Sequence, residues 1–295
     1  MTASPLPMRD GVAASYLWLP EGQWPDMLAF LVERYPQVSA AQWIERMARG
    51  DVVNGDGEQL LPTSAYRRGM RIFYYRELER ETPIPFQEQI LFQDEHLVVV
   101  DKPHFLPMTP GGRFVQETLL TRLKKKLACA ELTPIHRLDR ETAGVVIFSR
   151  RQASRGAYQT LFQRREIHKV YEALAPRLHG RDFPFTYRSR MVDGDKFFIM
   201  REEAGEANSE TIIDVIEERG DLNLYRLQPH TGRKHQLRVH LASLGIPIVN
   251  DAFYPVALPC KEDDMSQPLQ LLARAIAFAD PLTGELRRFE SRRSL

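Results

Sequence analysis

The chain has 295 residues, with 40 Lys and Arg against 39 Asp and Glu and a formal net charge of +1. That length predicts two domains, and the charge balance neither requires nor excludes nucleic-acid binding, which depends on whether the basic groups cluster. The two cysteines, Cys129 and Cys260, show no C-x-x-C spacing, which excludes a disulfide framework or a thiolate zinc site and fits a reducing compartment, the cytoplasm. Residues Met1 to Val12 lack the pattern of a signal peptide, and no apolar run reaches membrane-spanning length.

Residues 1–22 are punctuated by Pro and Gly and read as an N-terminal tail whose apolar patch, Tyr16 to Leu19, packs onto something. From Pro25, Met27, Leu28, Phe30 and Leu31 have helical spacing. Ser39 opens a second helix with Trp43, Ile44 and Met47 on one face, ending at Gly50. Val52-Val53-Asn54-Gly55 predicts a strand meeting a tight Asn-Gly turn, and Met70 to Tyr75 a later strand. This order resembles the small RNA-binding module named after ribosomal protein S4, over residues 23–78. It departs from that pattern at Ala40 and Ala41, where such modules carry a basic residue after the helix-starting Ser.

Residues 79–88 read as a linker, charged and interrupted by Pro83 and Pro85. The next domain spans 89–295. Ile90 to Phe92 and Leu97 to Val100 predict a hairpin turning at Asp94-Glu95-His96, both strands apolar enough for a sheet interior. Thr118 to Leu127 predicts an amphipathic helix, Gln152 to Arg164 another, and Val170 to Ala175 a strand. Short strands follow, with an Asp193-Gly194 turn, a pair at Thr211 to Ile216 and Leu222 to Leu227, and a final strand from Leu269 to Phe278. Helices interrupt strands irregularly. The fold class predicted is α+β, with a mixed, largely antiparallel central sheet, flanking helices and a small helix-hairpin N-terminal domain.

Chemistry concentrates in two stretches. His136-Arg137-Leu138-Asp139-Arg140 runs into the buried strand Val145 to Phe148, placing Asp139 in a loop between two guanidiniums, which favour its ionised form and suit it as a nucleophile or base. Thr231-Gly232 is a plausible helix start, carrying Lys234 and Arg238 on one face to Ser243 and beyond. On such a helix Arg238 can hold a carboxylate bidentately. His235 and His240, five apart with no intervening Glu, do not have metal-ligand spacing, so no metal is expected. Basic residues cluster at Arg122 to Lys126, at Arg150, Arg151, Arg155, Arg164 and Arg165, and at Arg287 to Arg293; acids gather at Glu262-Asp263-Asp264, a poor RNA contact.

The strings LFQDEHLVVVDKP, HRLDRETAGVVIF, HKVYEALAP, TGRKHQLRVHLASLGIPIVND and ADPLTGELRRFE, in this order, resemble the RluA-type pseudouridine synthases across Ile90 to Glu290. The resemblance implies isomerisation of uridine to pseudouridine in structured RNA, large-subunit rRNA or else tRNA, by a monomer without a cofactor. It makes Asp139 the catalytic carboxylate, Arg238 its basic partner and Tyr171 the base at carbon 5. Arg137 would occupy the space left by a flipped base, and Lys102 and Arg233 would contact the RNA backbone. Ala143 and Leu272 stand where the family commonly has Ser and His. The competing expectations are a catalytically silent RNA-binding or ribosome-assembly protein of the same fold, and a glycosidase-like hydrolase, which needs a second carboxylate poised as acid.

Overall fold

Polar side chains start the first two helices by accepting backbone N–H groups that a helix leaves unbonded. Asp26 Oδ1 accepts from Ala29 N at 2.8 Å and begins α1 (Met27–Arg34). Ser39 and Gln42 cap each other reciprocally at the start of α2 (Ala40–Ala48). The computed structural model describes residues 4–78, 80–196, 198–258 and 264–295, so Cys260, Glu262 and Asp263 lie outside the described residues. The chain forms two units. The first comprises Met1–Glu81, Pro110–Gln116 and Thr121–Ala130. In it β1 (Ser15–Trp18), β2 (Val52–Asn54) and β3 (Arg71–Tyr74) make an antiparallel sheet in the order β1-β3-β2, so the segment expected as a tail contributes a strand. Met27, Phe30, Leu31, Trp43, Met47 and Ile72 close over one face of it as a core.

The turn after β2 differs from the two-residue form expected at Asn54-Gly55. Asn54 N–H bonds Glu58 O, while Asn54 Oδ1 accepts from Asp56 N and Glu58 N. The side chain therefore organises a longer turn, and the left-handed position falls on Gly57 (φ 86°).

The second unit holds an eleven-stranded sheet. Its elements in chain order are β4 (Gln89–Gln93), β5 (Leu97–Lys102), α3 (Leu119–Leu127, whose residues from Thr121 belong to the first unit), β6 (Thr133–Pro134), β7 (Ala143–Ser149), α4 (Gln152–Gln163) and β8 (His168–Pro176). There follow β9 (Phe185–Asp193), β10 (Met200–Glu203), β11 (Ser209–Arg219), β12 (Leu222–Pro229), α5 (Gln236–Ser243), β13 (Leu271–Ala279) and β14 (Leu286–Glu290). The path is β10-β9-β11-β12-β8-β13-β7-β5-β4, with β14 on β13 and β6 on β7. Every pair is antiparallel except β7 with β13. This is the mixed, largely antiparallel α+β sheet expected from the sequence.

Burial follows strand position. β5 and β7 are buried throughout because they lie inside the sheet, whereas β4 is half-buried at its edge and does not take the interior place its apolarity suggested. The strand at Leu271–Ala279 is not the last: Asp280 N bonds Glu285 O, Gly284 turns the chain at φ 78°, and β14 returns along β13. The Asp193-Gly194 turn is also wider than expected, closed by Gly194 N on Ile199 O. Tyr158 and Leu161 of α4 cover one core with Val99, Ile147 and Phe278; Leu237 and Leu241 of α5 cover another with Ala173, Ile213 and Tyr225. Among the described residues, no helix is long and apolar enough to cross a membrane.

Candidate active site

One row across the sheet fixes the site. Tyr171 on β8 pairs with Ala273 on β13, which pairs in parallel with Gly144 on β7. Gly144 has φ 114°, and a Cβ there would lie 2.2 Å from Ala273 O, so only glycine lets β7 enter the sheet this close to β13. The turn preceding it, closed by Thr142 N on Asp139 O, holds Asp139 where the strands begin. His136 ties this turn to β7 by accepting from Ile147 N at 3.1 Å; burial pushes its imidazole down to about 3, which keeps that acceptor available.

Asp139 lines a cleft of about 340 Å³ with Arg137, Tyr171, Arg233, His235 and Arg238. Its cationic partner is Arg238, whose Nη1 lies 3.3 Å from Asp139 Oδ2. The flanking arginines are directed elsewhere. Arg140 Nε donates to Phe105 O, and Arg137 is exposed at the cleft. Burial and the charge of Asp139 both raise the Tyr171 phenol above its ordinary range.

Arg238 does make a bidentate carboxylate pair, but with Asp251. Nε to Oδ2 is 2.8 Å and Nη2 to Oδ1 is 2.6 Å, and both side chains are almost fully buried, at 2% and 1% exposure. Asp251 also accepts from Phe253 N and Tyr254 N, and the guanidinium lies 4.8 Å from the Phe253 ring centroid. Asp251 is the partner of Arg238 that the motif reading missed; only its place at the end of the string IPIVND pointed to it.

The helix bearing Arg238 starts later than Thr231. Gln236 Oε1 accepts from Thr231 Oγ1 at 2.6 Å and Arg233 N at 3.1 Å, folding 231–234 into a loop, and His235 sits before the helix at φ 55°. Lys234 is therefore off the helix. His235 Nδ1 shares a hydrogen bond with Tyr254 OH, and its Nε2 lies 3.7 Å from Asp139. His240 bonds Ser189 and Ser209 instead. Burial lowers both imidazoles to about 4.

Lys102 does not present the exposed ammonium that the sequence led us to expect at an RNA backbone. Its side chain is fully buried, and Nζ donates to the carbonyls of Pro103, Leu106 and Arg140 at 2.8–3.0 Å. Burial lowers this amine to about 7. A lysine that ends an interior strand has its head group enclosed by the following loop, which the sequence did not reveal. Arg233 remains exposed in the cleft wall. Glu141, raised by burial, is the nearest carboxyl in sequence to Asp139, but it is not part of the cleft lining and faces Arg140 at 3.7 Å.

Residues 96–243, about half the chain, match the family described as RNA pseudouridylate synthase. Over 73% of its length the chain is 30% identical to the dual-specificity RNA pseudouridine synthase RluA of Haemophilus influenzae, 97% of which is covered. Over 87% of its length it is 29% identical to ribosomal large subunit pseudouridine synthase D of Xanthomonas campestris pv. campestris, covering 82% of that protein. Among solved structures, human RNA pseudouridylate synthase domain containing 4 superposes with a TM-score of 0.54 at 28% identity, over 69% of this chain and 87% of that one. A family match across half the sequence, with one relative covered almost end to end, places this chain in the RNA pseudouridylate synthase family, as an isomerase acting on RNA.

Proposed function

We propose that this enzyme converts specific uridines of structured large-subunit rRNA to pseudouridine in the cleft of Asp139, Tyr171 and Arg238, working as a monomer in the cytoplasm. The observation that carries the reading is the Asp139 carboxylate open to the cleft on one side and held 3.3 Å from a buried guanidinium on the other. In the reaction the bond from N1 to the ribose anomeric carbon breaks, the uracil turns, and carbon 5 bonds to the anomeric carbon. The proton on carbon 5 leaves and N1 gains one, so substrate and product are isomers and no redox equivalent is needed.

Asp139 acts at the ribose, either attacking the anomeric carbon or removing the proton from carbon 2. Arg238 balances its charge from within the protein. Tyr171 takes the carbon 5 proton as its own hydroxyl proton passes on toward N1, so the phenol begins and ends the step in the neutral form that burial favours. Arg137, exposed at the cleft, fills the gap left in the RNA when the uridine turns out of its stack, and Arg233 contacts the backbone. Preference for rRNA over tRNA rests on the longer match to the large-subunit enzyme, 87% of this chain against 56% for the tRNA pseudouridine(31) synthase of Saccharomyces cerevisiae.

The test is a map of pseudouridine in total RNA from cells lacking the gene, restored with wild type or with Asp139→Asn. The reading holds if discrete rRNA sites vanish and wild type alone restores them. An unchanged map supports the silent RNA-binding alternative, and sites lost from tRNA alone overturn the substrate assignment.

A further inference from the structure

Helix α4 ends in a paired turn in which Arg165 N bonds Phe162 O at 3.2 Å and Glu166 N bonds Leu161 O at 2.9 Å. The residue between those bonds must adopt left-handed backbone, and glycine is its usual occupant because a side chain there is strained. Here it is Arg165, at φ 60°. A strained arginine kept where glycine fits without cost calls for a reason in what its side chain reaches.

It reaches a recess of about 320 Å³ lined by Arg165, Lys169, Asn208, His230 and Arg233, together with the apolar Phe162 and Ile167. Lys169, Thr231, Gly232 and Arg233 line this recess and the catalytic cleft alike, so the two adjoin. Among the described residues no carboxylate lies within ion-pair distance of Arg165 or Lys169, and the Lys169 ammonium donates only to Thr231 O, at 3.1 Å. Glu210 lines the next hollow, which Arg165 also borders; it is bonded by Arg188 at 2.8 Å, lies 3.9 Å from His230 and feels the charge of Arg165 at longer range. Burial, and after it the charge of Arg165, lower the Lys169 amine to about 8. With the Glu210 carboxylate already bonded to Arg188, the cations facing the recess outnumber the acids, and their field is one that an anion relieves.

Resting on the reading of the enzyme above, we propose that this recess binds a phosphodiester group of the RNA strand beside the target uridine, gripped by Arg165, Lys169 and Arg233. The phosphate carries no base identity, so the site sets the register of the strand over Asp139 and not the sequence read.

Arg165→Gly separates this role from folding, because it removes the guanidinium and relieves the strained backbone together. Thermal melting, and binding of fluorescein-labelled oligouridylate across a salt series, are measured for wild type, Arg165→Gly and Arg164→Ala. Arg164 is an exposed neighbour outside the recess. Arg165→Gly is expected to melt no lower than wild type, to bind severalfold more weakly, and to flatten the slope of log K against log salt by about 0.7, one phosphate contact on a single strand. Arg164→Ala should keep the wild-type slope. An unchanged slope in Arg165→Gly, or an equal loss in Arg164→Ala, overturns the proposal. With transcribed large-subunit rRNA as substrate, the loss in Arg165→Gly should fall on KM. If wild type makes no pseudouridine there while the slope difference persists, the substrate reading fails and the phosphate site stands.

Discussion

Arg238 touches two carboxylates, and replacing each by its amide should give opposite phenotypes. Asp251→Asn leaves an acceptor for Phe253 N and Tyr254 N but removes the charge facing a guanidinium only 2% exposed. Breaking a buried pair by neutralising one partner costs about 3–5 kcal/mol. For a unit of this size, about 2–4 °C of Tm per kcal/mol predicts a fall of roughly 6–20 °C. Asp139→Asn leaves the bidentate pair intact and loses one contact at 3.3 Å from a side chain 24% exposed, so its stability loss should be about 1 kcal/mol or less. Turnover should show the reverse: Asp139→Asn abolishes it, while Asp251→Asn lowers it as Arg238 is drawn toward its remaining carboxylate. Thermal melts by circular dichroism, paired with release of tritium from 5-tritiated uridine in RNA, measure both. The reasoning is refuted if Asp251→Asn melts with wild type, or if Asp139→Asn is the less stable of the two.

Tyr171→Phe keeps the ring that packs beside Asp139 and removes the hydroxyl; it should bind RNA and melt like wild type but lose turnover at least a hundredfold, about what a positioned base contributes, and full activity in single-turnover assays would remove Tyr171 from the mechanism. Lys102→Met leaves three carbonyls without their donor at about 1–3 kcal/mol each, so it should lower Tm strongly and leave the salt slope of RNA binding unchanged; a flattened slope would return Lys102 to the RNA surface. Acid should destabilise the fold through His136, at about 3, and His235 and His240, both at about 4, because the unfolded chain protonates near 6.5 while these remain neutral. Their stabilising effect is fully present above 6.5 and is lost as pH falls from there to about 4 for His235 and His240 and to about 3 for His136, at up to roughly 4 kcal/mol per pH unit while all three contribute. A urea midpoint that does not change through that window would contradict their burial as neutral rings.

The sequence marked the strand cores and the helix starts well, because hydrophobic runs such as Val145 to Phe148 and capping residues such as Ser39 act locally. What it did not show depends on distant partners. The charge of Arg238 was legible, but its division between Asp139 and Asp251 is set by how the chain after α5 returns over the helix. Lys102 read as a free cation at a strand end, and only the path of the Pro103–Leu106 loop encloses it. β14 was missed because Leu286-Arg287-Arg288-Phe289 has too few apolar residues to mark a strand before its partner β13 is known. The two departures from the family pattern looked unrelated in the sequence, yet Ala143 and Leu272 are register partners across β7 and β13, both fully buried. An apolar pair thus occupies a position where Ser and His are common.

That parallel junction also bears on how the enzyme reaches its working state. β7 and β13 lie far apart in the domain's sequence, and among the described residues no other strand pairing closes so long a loop, an entropic cost met before any pairing offsets it. The hairpins β4–β5 and β11–β12 close short loops and can form early. Tyr171 and the turn that carries Asp139 are brought together only when β13 inserts between β8 and β7, so competence for chemistry is acquired late in folding. A newly made chain therefore cannot modify RNA until its C-terminal strands have been synthesised and docked.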